Sequence, residues 1–231
     1  MATNSDAFDA IAPTWYGVRH WPLLRHELEE MAARWRHGRM LNAGCGAGAD
    51  FLPFAGGFEL VGLDRSTGML RQCRRYQSAH GFRAALVRGD LAHLPFADGS
   101  FDCAVGIACY HHLMQEPLRR RALLELQRVL APRGEAFLSV WNHCQPRFSG
   151  MPQDITVPWR TGSATVDRRY HLFTVDEFRT LLRGCGWDLV RLSYGRRRDD
   201  ASREDRRNIC ALVRRDPGLT AATSARWAEP G

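Results

Sequence analysis

Apolar and polar positions along this chain switch between a helical period and a strand-like one, and the switches mark its elements. From Pro22, a residue type favoured in first helical turns, the run LLRHELEEMAARW places Leu24, Leu28, Met31 and Trp35 along one side of a helix. A short strand from Arg39 to Ala43 follows and ends in a glycine cluster. Phe58 to Leu63 reads as a second strand, closed by Asp64, with Ser66 placed to cap the next helix. A third strand covers Phe82 to Val87. Phe101 to Ile107 and Glu135 to Val140 are continuous runs of the kind buried on both faces. Between them PLRRRALLELQRVL reads as a helix, with Pro117 at its start and Pro132 beyond its end. Strands separated by helices predict an α/β fold with a parallel sheet. Ligands of such sheets gather outside the carboxyl ends of the strands.

After Val140 the pattern breaks. Residues 141–173 show no period and carry prolines at 146, 152 and 158, and a connection of that length is more often functional than a plain link. Trp141, Trp159, Tyr170 and several Arg and His make it a poor disordered segment, so it reads as a lid or substrate loop. Thr174-Val-Asp-Glu177 is a capping box opening a helix that ends at Gly184 or Gly186. Two further strands, Trp187 to Leu192 and Asn208 to Val213, flank a basic connection from Arg196 to Arg207. That connection fits a solvated face and an RNA-backbone patch equally well. The expected organisation is one domain over 1–215, with 141–173 inserted in it, and a disordered tail over 216–231.

A chain of 231 residues with 45% apolar content has room for one sizeable core. No window approaches 18 apolar residues, and the start of the chain is polar and acidic, so neither a membrane span nor a targeting peptide is expected. A soluble cytoplasmic protein is the default reading. The net charge is +7, and every one of the 32 basic residues is arginine. Residues 1–150 hold 17 Arg against 14 acidic residues, and 151–231 hold 15 against 11, so the shorter part is the more basic. Such an excess favours acidic partners such as RNA. The seven cysteines form no CxxC pair, and Cys109 with His111 and His112 lacks an evident fourth ligand, so no metal site is expected.

The candidate chemistry lies at the strand ends. Leu41-Asn-Ala-Gly44-Cys-Gly46-Ala-Gly48-Ala49 supplies a tight strand-to-helix turn that a ligand can approach closely. Asp64, twenty residues after Gly44, can accept both hydroxyls of a ribose. Taken alone, this pair also suits a nicotinamide dinucleotide. The segment Arg88-Gly-Asp90-Leu91 adds an acceptor for an exocyclic amine and an apolar slot for an adenine.

With these pieces in place, LNAGCGAG, LVGLDRS, GDLAHLPFADGSFD and LQRVLAPRGEAFLSV make the chain resemble the class I S-adenosylmethionine-dependent methyltransferases. The resemblance implies a Rossmann-like, doubly wound, seven-stranded sheet, mostly parallel with an antiparallel C-terminal strand. It implies S-adenosylmethionine as the cofactor, held by Asn42, Gly44, Gly46, Gly48, Asp64, Arg65, Asp90, Leu91 and Ile107. Asn42 stands where the family usually has an acidic residue that helps hold the methionine ammonium.

A narrower resemblance rests on Phe8-Asp-Ala-Ile-Ala-Pro-Thr-Trp-Tyr, Arg19-His-Trp-Pro, Gly106-Ile-Ala-Cys-Tyr-His111-His112-Leu, Gln153-Asp154-Ile-Thr-Val-Pro-Trp159 and Arg168-Arg-Tyr170-His171-Leu-Phe173. These are similar to the tRNA wobble-uridine carboxymethyl methyltransferases, including the methyltransferase part of an AlkB homologue. Arg169 replaces the first of two tyrosines usual there. This resemblance implies a carboxylate acceptor on tRNA. It also implies a small zinc-bearing activating partner paired with the edge strand around Phe82 to Val87.

A carboxylate is ionised at pH 7 and needs orientation rather than a general base. Arg19 and Arg168 are candidates to hold it, His112 to contact the nucleophile or base, and Trp141, Trp159 and Tyr170 to stack on an unstacked base. His111 and His112 are equally able to bond the backbone, and Asp154 either faces the substrate or begins a turn. Two rival functions stay open: methylation of a small molecule, and a non-catalytic cofactor-binding subunit.

Overall fold

In the computed structural model, which describes residues 4–161 and 164–216, two helices precede the sheet: α1 (Asn4–Val18) and α2 (Arg25–Trp35). The strand–helix alternation then runs through β1 (Gly38–Ala43), β2 (Phe58–Asp64), α3 (Thr67–His80), β3 (Ala84–Arg88), β4 (Phe101–Ile107), α4 (Glu116–Val129) and β5 (Leu130–Trp141). A hairpin of β6 (Asp154–Thr161) and β7 (Ala164–His171) follows, then α5 (Val175–Gly184), β8 (Trp187–Arg196) and β9 (Glu204–Arg215).

Seven strands form one sheet in the order β3-β2-β1-β4-β5-β9-β8. The first five are mutually parallel, with Leu41 opposite Val61 on one side and Ala104 on the other. Strand β9 runs antiparallel to both β5 and β8. The expected architecture is therefore present. Alternation along β5 explains its unbroken apolar run: Ala136, Leu138 and Val140 pack with α4 and α5, whereas Phe137 packs with α2 and α3. Each face needs its own apolar set because each is covered by helices.

The structure adds one element that the sequence reading did not place, and departs from that reading in two others. The N-terminal motif around Phe8 forms α1, although Pro13 lies inside it. The second helix starts at Arg25 rather than near Pro22. Within 141–173, residues 154–171 form a hairpin with an eight-pair ladder from Asp154↔His171 to Thr161↔Ala164, where a patternless loop was expected. β6 does alternate, with Ile155, Val157 and Trp159 inward and Asp154, Thr156 and Arg160 outward, but Pro158 in its middle argued against a strand. β8 and β9 reach into the basic connection from its two ends, as far as Arg196 and from Glu204 onward. Apart from Asp216, the expected tail lies outside the described residues. No helix among the described residues is long and apolar enough to cross a membrane.

At the amino ends of the central strands, Glu135 ties three elements together. Its carboxylate accepts from Arg34 Nε at 2.7 Å and Nη2 at 2.8 Å, from Trp35 Nε1 at 2.9 Å and from Arg214 Nη2 at 2.9 Å. These bonds, led by Arg34, hold the Glu135 carboxyl down at about 2, despite burial. A depressed carboxyl stabilises the fold above its unfolded value near 4.5 and loses that contribution as pH falls towards 2. Glu135→Gln is expected to cost about 2 kcal/mol at pH 7. In chemical denaturation at stepped pH, the gap to the parent chain should close below pH 4, with cofactor affinity unchanged.

Candidate active site

The sheet grows in opposite directions from β1 and β4, leaving a crevice at their carboxyl ends. A cavity of about 720 Å³ occupies it. One end is built by the turn after β1. Gly46 and Gly48 have φ of +51° and +90°, a left-handed backbone that side chains disfavour. An added Cβ on Gly48 would come within 2.5 Å of Cys73 Sγ, whereas one on Gly46 would meet only open space. The turn thus presents bare backbone to the cavity. Asp64 fixes it by accepting from Gly46 N at 2.8 Å and Ser66 N at 2.9 Å. Burial raises the Asp64 carboxyl above its ordinary range, while those N–H groups oppose the shift.

Further along, Asp90 accepts from Ala92 N at 2.9 Å and pairs with Arg65 at 3.3 Å. Leu91, Leu63 and Ile107 give apolar walls there. A glycine cradle, an acid at the end of β2 and a second acid beside an apolar slot match the shape and polarity of an adenosyl group with an amino-acid arm.

The other end is aromatic and basic. Tyr170 stacks on Trp141 with centroids 4.4 Å apart and an 11° tilt. The Arg168 guanidinium lies 4.8 Å over Trp159 and 5.4 Å over Tyr170, and donates to Tyr170 Oη at 2.7 Å. Arg168 is 6% exposed, its Nε has no hydrogen-bond partner, and among the described residues no carboxylate pairs with it. Burial pushes Tyr170 up to about 12, so its phenol stays protonated.

Helix α1 roofs the cavity. Asn4 donates to the Arg169 and His112 carbonyls at 2.8 and 3.1 Å and accepts from Arg169 N at 2.8 Å. Trp15 stacks on Trp159 at 5.3 Å, and Asp9 accepts from Ser66 Oγ and Gly68 N. The roof is therefore stitched both to the hairpin and to the start of α3.

Twelve of the thirteen residues expected in the site line this cavity: Arg19, Gly44, Gly46, Gly48, Asp64, Arg65, Asp90, Leu91, Ile107, His112, Arg168 and Tyr170. Asn42 does not. It is 1% exposed within β1, with Nδ2 unpartnered, so it makes no direct contact with the cavity. Arg19 reaches the cavity but is not a free cation, because Asp50 pairs with it at 3.0 Å. Asp50, which also accepts from Leu23 N at 3.1 Å, is a buried acid on the cradle side that sequence reasoning missed. Only the packing of residues 19–23 against the turn after Gly48 reveals it.

Both histidines bond the backbone. Trp141 N donates to His111 Nδ1 at 3.1 Å, and His112 Nδ1 meets the Arg169 carbonyl at 3.3 Å, where it must donate. Burial pushes His112 down to about 3 and His111 well below its usual value, so both rings are neutral. Asp154 turns away from the cavity to His171. In the basic connection, Arg196 pairs with Glu27 and Glu30, Arg197 with Asp199 and Arg207 with Asp205, which neutralises much of it. Arg198 instead stacks on Trp21 at the cavity wall, 4.8 Å away.

This fold and this site define a class I S-adenosylmethionine-dependent methyltransferase, and the chain belongs to that family. A family model described as "Methyltransferase domain" matches residues 40–134. The chain is 35% identical over 179 residues to "Putative methyltransferase ECU09_1500" of Encephalitozoon cuniculi, covering 74% of this chain and 80% of that one. It is 32% identical over 136 residues, 58% of this chain, to the "tRNA (carboxymethyluridine(34)-5-O)-methyltransferase" of Arabidopsis thaliana, and spans 31% of that protein's length. The fold is shared, at 19% identity and a TM-score of 0.65, with a chain of the "Complex between the Haloferax volcanii Trm112 methyltransferase activator and the putative methyltransferase". That alignment covers 90% of this chain and 97% of the other.

Two substitutions probe the cradle by calorimetric titration with S-adenosylmethionine. Asp64→Ala removes an acceptor of two backbone N–H groups and is expected to weaken binding about 100-fold. Gly46→Ala places a methyl in open cavity space at a left-handed φ. It should weaken binding at least tenfold while costing about 1–2 kcal/mol of stability.

Proposed function

We propose that this methyltransferase esterifies a carboxylate, and that the carboxylate is the carboxymethyl group of a modified wobble uridine in tRNA. The observation that carries this reading is Arg168. A guanidinium stays charged at any working pH, and burying it without a carboxylate partner costs several kcal/mol, which an anionic ligand in the cavity would offset. The surrounding faces of Trp159, Trp141 and Tyr170 suit a planar base beside that carboxylate. The name and identity of the plant relative support the same acceptor.

In this reading the cradle around Gly44, Gly46 and Gly48 holds the amino-acid arm, Asp64 the ribose, and Asp90 with Leu91 the adenine. Arg65 orients Asp90, and Ile107 walls the crevice. Bound S-adenosylmethionine supplies a sulfonium methyl, leaving a neutral thioether. Arg168 aims one carboxylate oxygen, and the Tyr170 hydroxyl that it braces offers a further donor. No side chain needs to remove a proton from an acceptor ionised above pH 4. That agrees with neutral His111 and His112 serving as walls and backbone braces.

Exposed arginines 71, 74, 75, 83 and 88, in a stretch with no acid from residue 65 to 89, support an anionic macromolecule near the β3 side. Strand β3 ends the sheet and is only partly covered, which supports a small zinc-binding activating subunit pairing with it. A second reading, a small carboxylic acid as acceptor, is favoured by the α1 roof, which narrows the approach for a folded RNA.

The test is to incubate the chain, with and without such a subunit, with labelled S-adenosylmethionine and tRNA from a host lacking this gene. A base-labile methyl ester on a uridine is the expected product. Arg168→Ala should lower kcat/KM about 100-fold or more with cofactor affinity kept. The rate should show no acidic limb between pH 5 and 7. Label confined to small carboxylic acids would favour the second reading.

A further inference from the structure

On the far side of β7 from the cavity lies a charged cluster that the reaction above leaves unused. His171 sits between two carboxylates: Nδ1 is 2.6 Å from Asp154 Oδ1 on β6, and Nε2 is 2.7 Å from Glu177 Oε1 on α5. A neutral imidazole has one N–H and would turn a lone pair towards one of these oxygens. Two close carboxylates therefore require both ring nitrogens to donate. Gln153 donates to Glu177 Oε2 at 2.5 Å and to the Leu172 carbonyl at 3.0 Å, and Phe173 packs edge-on against the ring at 4.8 Å. Arg119 on α4 is the remaining charged group facing the cluster. It is held over Phe173 and donates to the carbonyls of Leu113 and Met114.

We infer that His171 is an imidazolium clamp, fastening the open end of the β6–β7 hairpin to α5 and thereby positioning Arg168 and Tyr170 over the cavity. Asp154 and His171 are the first rung of the hairpin ladder, where the chain enters and leaves it. Along β7 the side chains alternate, so Arg168 and Tyr170 face the cavity while His171 faces the clamp. Loss of the ring proton leaves two carboxylates against one N–H and frees the base of the hairpin. Burial lowers the His171 value, but the bonds to Glu177 and Asp154 outweigh it and leave it raised. Its stabilisation is complete below the unfolded value near 6.5 and is lost as pH rises through the higher folded value. His171 is thus a positioning residue, and the role of its neighbours rests on the acceptor reading given above.

The test uses the full chain with ring-labelled histidine, observed by NMR with S-adenosylhomocysteine bound. His171 is expected to titrate above 6.5. Amide exchange across β6 and β7 should rise about tenfold or more beyond what base catalysis gives, over the same pH range. Asp154 is 61% exposed, so Asp154→Asn is a mild change for the fold. It should move both transitions down by about a pH unit, as should Glu177→Gln, with S-adenosylmethionine affinity within twofold of the parent. With tRNA or 5-carboxymethyluridine as acceptor, an alkaline limb in kcat/KM should follow the same shift, mainly through KM. Titration of His171 at or below 6.5, or hairpin exchange indifferent to Asp154→Asn, overturns the clamp. A shifted titration and hairpin exchange, without methylation of either acceptor, upholds the clamp and removes the acceptor reading.

Discussion

Everything at the active end of this protein follows from the reversal of strand order between β1 and β4. Helices leave the two strands on opposite faces, so their carboxyl ends open a crevice that no crossover helix fills. A crevice in a parallel sheet exposes backbone N–H groups and strand-end side chains, and it binds ligands well only once water is excluded from part of it. The chain closes it with segments from outside the sheet core: α1 from before β1, and the β6–β7 hairpin inserted after β5. These two meet through the Trp15–Trp159 stack and the Asn4–Arg169 hydrogen bonds, so roof and wall support each other.

Electrostatics within the closed crevice divide along its length. The cradle end contains acids whose oxygens are occupied by backbone N–H groups or by arginines: Asp64, Asp90 and the Asp50–Arg19 pair. The hairpin end contains a cation, Arg168, that pairs with no acid among the described residues. Neutral histidines lie between the two, their rings locked to backbone atoms. Such a gradient favours a ligand that is positive near the cradle and negative near Arg168. A sulfonium cofactor facing a carboxylate acceptor has that polarity. On the reverse face of the same hairpin, the order is inverted, with two carboxylates gripping one ring.

With no lysine in the chain, arginine carries its fixed positive charge, and it serves three different purposes. Arg34, Arg128 and Arg214 brace carboxylates within the fold. Arg197 and Arg207 offset acids around the β8–β9 hairpin, and Arg196 joins that hairpin to Glu27 on α2. Arg147 and Arg168 lie on aromatic faces, where the planar guanidinium keeps attractive contacts after losing water. Net charge counts all three groups alike, which is why the +7 total says little about where an anion would bind.

Much of this was legible in the sequence because its causes are local. Strand periods, the Ser66 and Thr174 caps, the glycine turn and the acid twenty residues beyond it depend on neighbours along the chain; the caps, turn and acid stand where they were read, and the strands differ only at their ends. Tertiary structure alone decided the rest. Arg19 and Arg168 look equivalent as letters, but Asp50 neutralises one while the other is left among rings. Asn42 follows the motif spacing, yet the strand turns it into the sheet interior. The β6–β7 hairpin pairs residues up to seventeen positions apart and is fastened to α1 through Asn4 and to α5 through Glu177. Short-range order needs only the chain's own stereochemistry and solvent. Which charges meet, and which stay alone, is settled when distant segments exclude water from one another.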